Sequence, residues 1–157
     1  MSKATRATQM LAAAGIAFTV HDYVYDPDAQ SIGLQAADAL DEPPARVLKT
    51  LMAELDGKPV CVIAPSDCDV SMKKLAAALR GKSATMMKPA AAERFTGYHV
   101  GGISPFGQKK RVPTAIEETA MLEPYVLINA GQRGLLLRID PEDARRVLDA
   151  VAADIVA

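Results

Sequence analysis

The sequence predicts an α+β (mixed α/β) fold, a single domain in which a mostly antiparallel mixed sheet is covered by short helices. Three observations lead there. Helix-like and strand-like segments are interleaved without the regular βαβ repetition of a doubly wound sheet. Two pairs of apolar runs are joined by glycine-containing turns, at Asp56-Gly57 and at Ala130-Gly131-Gln132-Arg133-Gly134, as in antiparallel hairpins. The chain, 157 residues and 50% apolar, carries no linker, internal repeat or low-complexity run, so 1–157 reads as one domain with a substantial core. Aromatic residues make up only 4% and Trp is absent, so Ala, Val, Leu, Ile and Met must fill the interior.

Each element has a local reason. Ser2–Ala14 reads as a helix with Met10, Leu11 and Ala14 on one face and Gly15 past its end. Ile16–Tyr25 alternates as a strand, and Asp26-Pro27-Asp28 turns the chain. Ser31 caps a short helix through Leu40, which Asp41-Glu42-Pro43-Pro44 ends, with a single turn expected at Ala45. Val47–Leu55 and Pro59–Ala64 form a hairpin about Asp56-Gly57. Asp69 or Ser71 caps a helix over Met72–Arg80, and Thr85–Met87 is a short strand. Pro89 opens a helix that Gly97 closes, and Tyr98–Val100 reads as a short apolar strand. Thr114–Glu118, Tyr125–Asn129 and Leu135–Ile139 complete the strands. Asp140-Pro141-Glu142-Asp143 starts a last helix, expected to run to about Val156 with Val147, Leu148, Val151 and Ile155 inward.

Composition excludes several classes. Lys plus Arg is 18 and Asp plus Glu is 19, a net charge of −1, which argues against a bulk polyelectrolyte binder. Cys61 and Cys68 make neither a disulfide framework nor a C-x-x-C motif, consistent with a reducing compartment. His21 and His99 are the sole imidazoles and no Cys/His cluster has zinc-site spacing, so no metal and no cofactor are expected. Lys3 and Arg6 ahead of the apolar run Met10–Val20 superficially resemble a signal peptide. Gly15 interrupts that run, however, and it passes straight into His21-Asp22. No stretch approaches a membrane span, and a cytoplasmic protein is expected.

Two stretches can carry chemistry. Gly101-Gly102-Ile103-Ser104-Pro105-Phe106-Gly107-Gln108-Lys109-Lys110-Arg111 is neither regular sheet nor helix. Adjacent glycines permit positive φ and close approach of a ligand, and Pro105 drives Ser104 extended. Such a loop can present backbone N–H groups to a carbonyl, carboxylate or phosphate oxygen, or can be a plain corner before a solvated basic turn. In the strand around Lys49, Val47, Lys49 and Leu51 share one face while Leu48, Thr50 and Met52 share the other. Apolar residues on both faces imply a strand buried on both sides, where a lysine must be partnered, open into a cleft, or snorkel at an edge. No G-x-S-x-G elbow, Walker loop, dinucleotide fingerprint or nucleophile–base pair is present. Catalysis, if any, rests on positioning, one cation and backbone dipoles.

Val47-Leu48-Lys49-Thr50-Leu51, together with Gly97-Tyr98-His99-Val100-Gly101-Gly102-Ile103-Ser104-Pro105 and its continuation to Arg111, resembles the YbaK/EbsC family. Those are single-domain aminoacyl-tRNA deacylases related to the editing domain of bacterial prolyl-tRNA synthetases. The likeness extends over essentially the whole chain, including His21-Asp22-Tyr23 and Gly131-Gln132-Arg133-Gly134. It implies a YbaK-like editing fold and a trans-editing deacylase, with Cys-tRNA(Pro) the substrate favoured over Ala-tRNA(Pro). Carried over by position, Lys49 would be the essential lysine and Gly101 its catalytic backbone partner. Tyr23, Ile32, Thr50, Gly102, Ile103, Ser104, Pro105 and Asn129 would contact substrate, and Lys109, Lys110 and Arg111 the tRNA. Partners would be the acceptor 3′ end of misacylated tRNA and a synthetase, most plausibly prolyl-tRNA synthetase. In YbaK-type enzymes the substrate's own thiol is thought to attack the ester. The chain departs from the family at Ile32, where relatives often carry an aromatic, and at Asn129-Ala130-Gly131, where they often read Ser-Gly-Gly. Water-mediated hydrolysis of Ala-tRNA(Pro) or another misacylated tRNA, and a non-catalytic tRNA- or synthetase-binding module, remain the alternatives.

Overall fold

The centre of the fold is a hairpin of two eight-residue strands, β2 (Leu48–Leu55) and β3 (Lys58–Pro65), closed by the expected two-residue turn. In the computed structural model, which describes residues 4–28 and 31–157, this hairpin lies inside a five-stranded sheet of order β4-β2-β3-β5-β8. β4 (Ala84–Met86) pairs antiparallel with the end of β2, while β5 (Thr114–Glu117) and β8 (Val151–Ala153) continue the sheet in parallel. A second sheet, antiparallel throughout, has the order β1-β7-β6, from β1 (Phe18–Asp22), β6 (Val126–Gln132) and β7 (Leu135–Ile139). Mixed pairing with antiparallel contacts in the majority is the predicted α+β arrangement.

The sheets meet through side chains that alternate along the strands. Met52, Ile63 and Ile116 from the larger sheet pack with Val126, Ile128, Leu137 and Ile139 from the smaller one, and Leu11 of α1 (Arg6–Ala13) joins them. The opposite face of the larger sheet buries Ala53, Val62 and Ala115 under Leu75 of α3 (Met72–Ala78), with Ile155. β2 is therefore apolar on both faces, as its sequence implied. Each such Leu or Ile contributes about 1.5–3 kcal/mol by leaving water.

Helix ends follow their caps. Thr5 and Thr8 form a reciprocal box at the start of α1, and the part of the expected helix at residues 2–3 lies outside the described residues. Ser31 caps α2 (Ile32–Ala39), Ser71 caps α3, and Pro89 opens α4 (Pro89–Thr96), which Gly97 ends in the left-handed conformation. Asp140 accepts from the Glu142 and Asp143 N–H groups at the head of α5 (Pro141–Leu148).

Three expectations are corrected. The last helix stops at Leu148, where Asp149 adopts φ +51°, and the chain re-enters the sheet as β8. Val151 is consequently exposed, whereas Ile155 is fully buried without being helical. Buried Glu117 draws this tail in by accepting the Ile155 N–H at 3.0 Å. Tyr98–Val100 is a turn rather than a strand, because its backbone is used by loop ties described below. β6 also extends beyond Asn129 through a bulge to Gln132, so the β6–β7 connection is shorter than the five residues expected.

Candidate active site

Between β2 of the larger sheet and Asn129 and Leu136 of the smaller one, a cavity of about 360 Å³ opens. Its walls come from β2, α2, the Met86-Met87 end of β4, the head of α4 and the loop at Gly101. Lys49, Thr50, Tyr23, Ile32, Gly101, Ile103 and Asn129, all predicted from sequence as site residues, line it together. Lys49 is half-buried and its ammonium makes no hydrogen bond or ion pair with any described residue. Tyr23 Oη and Thr50 Oγ1 are buried and likewise have no hydrogen-bond partner among the described residues. Burial, with a smaller contribution from neighbouring Tyr25, raises the Tyr23 phenol above its ordinary range, so it is a neutral O–H donor. Unsatisfied buried polar groups are expensive, and here they share one cavity.

The Gly101 wall is held by polar ties from three directions. His99 O accepts from Gly102 N–H at 2.8 Å with Gly101 at φ +91°, the signature of a type II turn that needs glycine in third place. The Val100 N–H donates to Glu93 Oε2 at 2.8 Å, and Arg133 Nε donates to Val100 O at 2.8 Å. Asn129 Nδ2 donates to Gly101 O at 3.2 Å, while Asn129 Oδ1 accepts from Gly131 and Gln132 in the bulge, at 2.6 and 3.2 Å. Gly102 is glycine because a Cβ there would lie 2.8 Å from Arg133 N and 3.0 Å from Gln132 C, both backbone atoms. These ties leave the Gly101 N–H with no partner among the described residues. Since N–H and C=O of one peptide point oppositely, it is directed away from Arg133.

The remaining predicted residues lie elsewhere along the same loop. Gly102 is buried against the bulge, and Ser104 is buried with its hydroxyl accepting from Phe106 N–H and its carbonyl accepting from Gln108. Pro105, Lys110 and Arg111 border a second recess of about 240 Å³ behind the loop. Lys109 donates to Arg94 O and Arg111 to Val147 O, and neither lines the main cavity. The basic run is thus separated from Lys49 by the buried turn at Ser104–Phe106. Sequence reasoning placed Ile32 on the α2 wall but missed its neighbours Gly33 and Ala36, the methionines at Met52, Met86 and Met87, and the Glu93–Arg133 clamp on Val100. An apolar Met-Met pair followed by Lys-Pro was the available signal for the second of these. Neither histidine lines the cavity: His21 Nε2 is 2.8 Å from Thr19 Oγ1, and exposed His99 sits 3.5 Å from Glu93. Burial pushes the Cys61 thiol up to about 12 and raises that of Cys68, so neither is an activated nucleophile.

The family model for the aminoacyl-tRNA editing domain matches residues 26–147. The chain belongs to that family. Its members deacylate misacylated tRNA, and this editing domain is an aminoacyl-tRNA deacylase. It is 30% identical over 139 residues to EbsC of Enterococcus faecalis, provisionally named a Cys-tRNA(Pro)/Cys-tRNA(Cys) deacylase; the match covers 88% of this chain and 84% of that one. Two solved structures share the fold. One, provisionally described as a trans-editing enzyme for prolyl-tRNA synthetase, has a TM-score of 0.83 at 20% identity, covering 97% of this chain and 95% of that chain. The other, the hypothetical protein APE2540, has a TM-score of 0.85 at 19% identity, covering 98% and 100%. No helix among the described residues of this editing domain is long and apolar enough to cross a membrane.

Proposed function

We propose that this editing domain, acting in trans, removes cysteine from Cys-tRNA(Pro), with the substrate's thiol as the nucleophile. One observation carries the reading. The described residues lining the cavity include a lysine, two unpartnered hydroxyls and Gly101, whose N–H has no partner among the described residues, but no carboxylate, imidazole or thiol. A site of that composition can hold and polarise an ester yet offers no conventional base to activate water. The cysteinyl thiol sits on the same carbon skeleton as the ester carbonyl, so proximity comes with the substrate.

In this mechanism Lys49 pairs with the terminal adenosine's phosphate or ester oxygens, and the Gly101 N–H donates to the carbonyl oxygen. The thiol sulfur bonds to the carbonyl carbon, the carbon–oxygen bond to the terminal ribose breaks, and the thiol proton passes to the departing ribose oxygen. Water then opens the thiolactone to free cysteine. Tyr23, Ile32, Thr50, Ile103 and Asn129 shape the acyl pocket. Gly102, Ser104 and Pro105 support the loop from behind, and Lys109, Lys110 and Arg111 meet the tRNA backbone outside the cavity. A net charge of −1 favours a weak hold on the tRNA body, with prolyl-tRNA synthetase supplying tRNA selectivity.

The test is deacylation of Cys-tRNA(Pro), Ala-tRNA(Pro) and Ser-tRNA by wild type and Lys49→Ala, with the fold checked by circular dichroism. Cleavage of the cysteinyl ester alone, lost in a folded Lys49→Ala protein, is expected. Equal cleavage of all three assigns the reaction to water, and an active Lys49→Ala protein removes the lysine from the mechanism. Binding without cleavage would leave only a tRNA-binding module.

A further inference from the structure

Every residue from Val47 to Met52 lines the cavity. A cavity against one face of a strand meets alternate residues, whereas one against the strand's edge meets them all. The pairing register identifies what that edge exposes. The two-residue hairpin closes on the Leu55–Lys58 pair, so Leu55, Ala53, Leu51 and Lys49 direct their backbone N–H and C=O to β3. Met52, Thr50 and Leu48 direct theirs to the other side. On that side Met52 O accepts from Met87 N–H at 3.1 Å, where β4 arrives, and β4 pairs only with Ala53–Leu55. At the far end Arg46 O accepts from Leu127 N–H at 2.8 Å, at an isolated parallel bridge between Val47 and Leu127. Between those two contacts no described strand pairs with β2 on that side, and Thr50 stands in the middle of the gap. The same residue's hydroxyl is buried without a partner among the described residues.

We propose that the main chain of Thr50 reads the α-aminoacyl group as though it were one residue of an added strand. The substrate's α-ammonium donates to Thr50 C=O, and its ester carbonyl accepts from Thr50 N–H. An α-aminoacyl ester carries a donor and an acceptor on either side of one tetrahedral carbon, as a peptide residue does. It can therefore complete the two-bond pair of an antiparallel ladder. A carbonyl oxygen has two lone pairs, so the Thr50 and Gly101 N–H groups can both donate to it. The substrate class follows: acyl esters bearing an α-amine are held, and those lacking it are not. Side-chain choice is left to the apolar walls at Met52, Met87 and Ile103. The inference rests on the deacylase reading above.

The experiment compares cysteinyl-tRNA with 3-mercaptopropionyl-tRNA, which keeps the thiol and lacks the α-amine, and alanyl-tRNA with propionyl-tRNA in parallel. Each enzymatic rate is divided by that ester's spontaneous hydrolysis, because the ammonium itself activates the ester. Removing the amine should lower this acceleration on the order of ten- to a hundredfold, the effect of one hydrogen bond to a charged group. Thr50→Val keeps the backbone and should preserve the ratio between amino and desamino esters. Equal acceleration of both members of a pair, each measurably above its spontaneous rate, overturns the inference and leaves the deacylase reading intact. A ratio that collapses in Thr50→Val overturns it in favour of the hydroxyl. Acceleration of none of the esters overturns the deacylase reading itself, and this inference with it.

Discussion

Asn129 makes three hydrogen bonds in two directions, and the two directions can be separated by mutation. Its Oδ1 accepts from Gly131 and Gln132 N–H, holding the bulge, and its Nδ2 donates to Gly101 O, holding the cavity wall. Asn129→Ala removes all three bonds. At about 0.5–1.5 kcal/mol each, the loss is about 2–4 kcal/mol, and for a chain of this size the melting temperature should fall by roughly 5–15 °C. Asn129→Asp keeps an oxygen for the two bulge N–H groups but turns a second oxygen toward Gly101 O. The bulge should survive, and with one bond lost rather than three the melting temperature should fall by roughly 1–6 °C, less than in Asn129→Ala. The Gly101 peptide, repelled rather than held, should lose its position, lowering kcat/KM by at least about tenfold. Scanning calorimetry and a single-turnover deacylation assay read the two effects independently. An Asn129→Asp protein with wild-type kcat/KM would refute the claim that the Gly101 tie matters for the reaction. An Asn129→Ala protein of unchanged stability would refute the bulge half of the argument.

Two further outcomes follow from titratable groups. The Val100 N–H, then the neighbouring His99 and Arg133, hold the Glu93 carboxyl below its ordinary range. A carboxyl that keeps its charge to lower pH when folded contributes stability in full above the ordinary carboxylate range, and loses it as pH falls through the depressed value. The difference in melting temperature between wild type and Glu93→Gln should therefore be present at neutral pH and close in acid; a gap that persists below the carboxylate range would contradict the Glu93–Val100 tie. Cys61 is buried with its thiol pushed up to about 12, so iodoacetamide at mildly alkaline pH should leave it unmodified until denaturant is added. Mass-spectrometric recovery of alkylated Cys61 from native protein would show that β3 opens.

The legible parts of the fold were those whose cause is local. Asp56-Gly57 specifies a two-residue hairpin whatever surrounds it, and the strands on either side paired in the register that turn demands. Ser31, Ser71 and Asp140 each accept an N–H from the first turn of their helices, as short polar side chains at those places do. The misreadings lie where a distant partner decides. Val147, Leu148, Val151 and Ile155 fit a helical period, but buried Glu117 takes the Ile155 N–H and β5 pairs with Val151–Ala153, and those non-local contacts outweigh the local pattern. Tyr98–Val100 looks like a strand by composition. Its backbone is instead consumed by Glu93, Arg133 and a type II turn, none of which the tripeptide announces.

The candidate site divides along the same line. Lys49 and the glycine loop could be singled out because a cation in an apolar strand needs a partner or a cleft and paired glycines before a proline shape a loop. Each pattern also fits plain structure, and it was the resemblance to the YbaK/EbsC family that joined them. The open edge could not be singled out, since it arises from a mismatch of strand lengths. β3 accompanies β2 along its whole length, β4 covers only its last three residues, and β6 packs against β2 but pairs with this segment only at Val47, just before β2 begins. A complete neighbour on that side would satisfy the Thr50 backbone and close the cavity, giving a more regular sheet with nothing to bind. The short β4 leaves Thr50 without a paired strand on that side, and the loop at Gly101, tied down by Asn129, Glu93 and Arg133, lines the same cavity. Recognition of an ester by main-chain groups on both walls, as proposed, would ask little of side chains, in keeping with a cavity lining that holds no carboxylate, imidazole or thiol among the described residues.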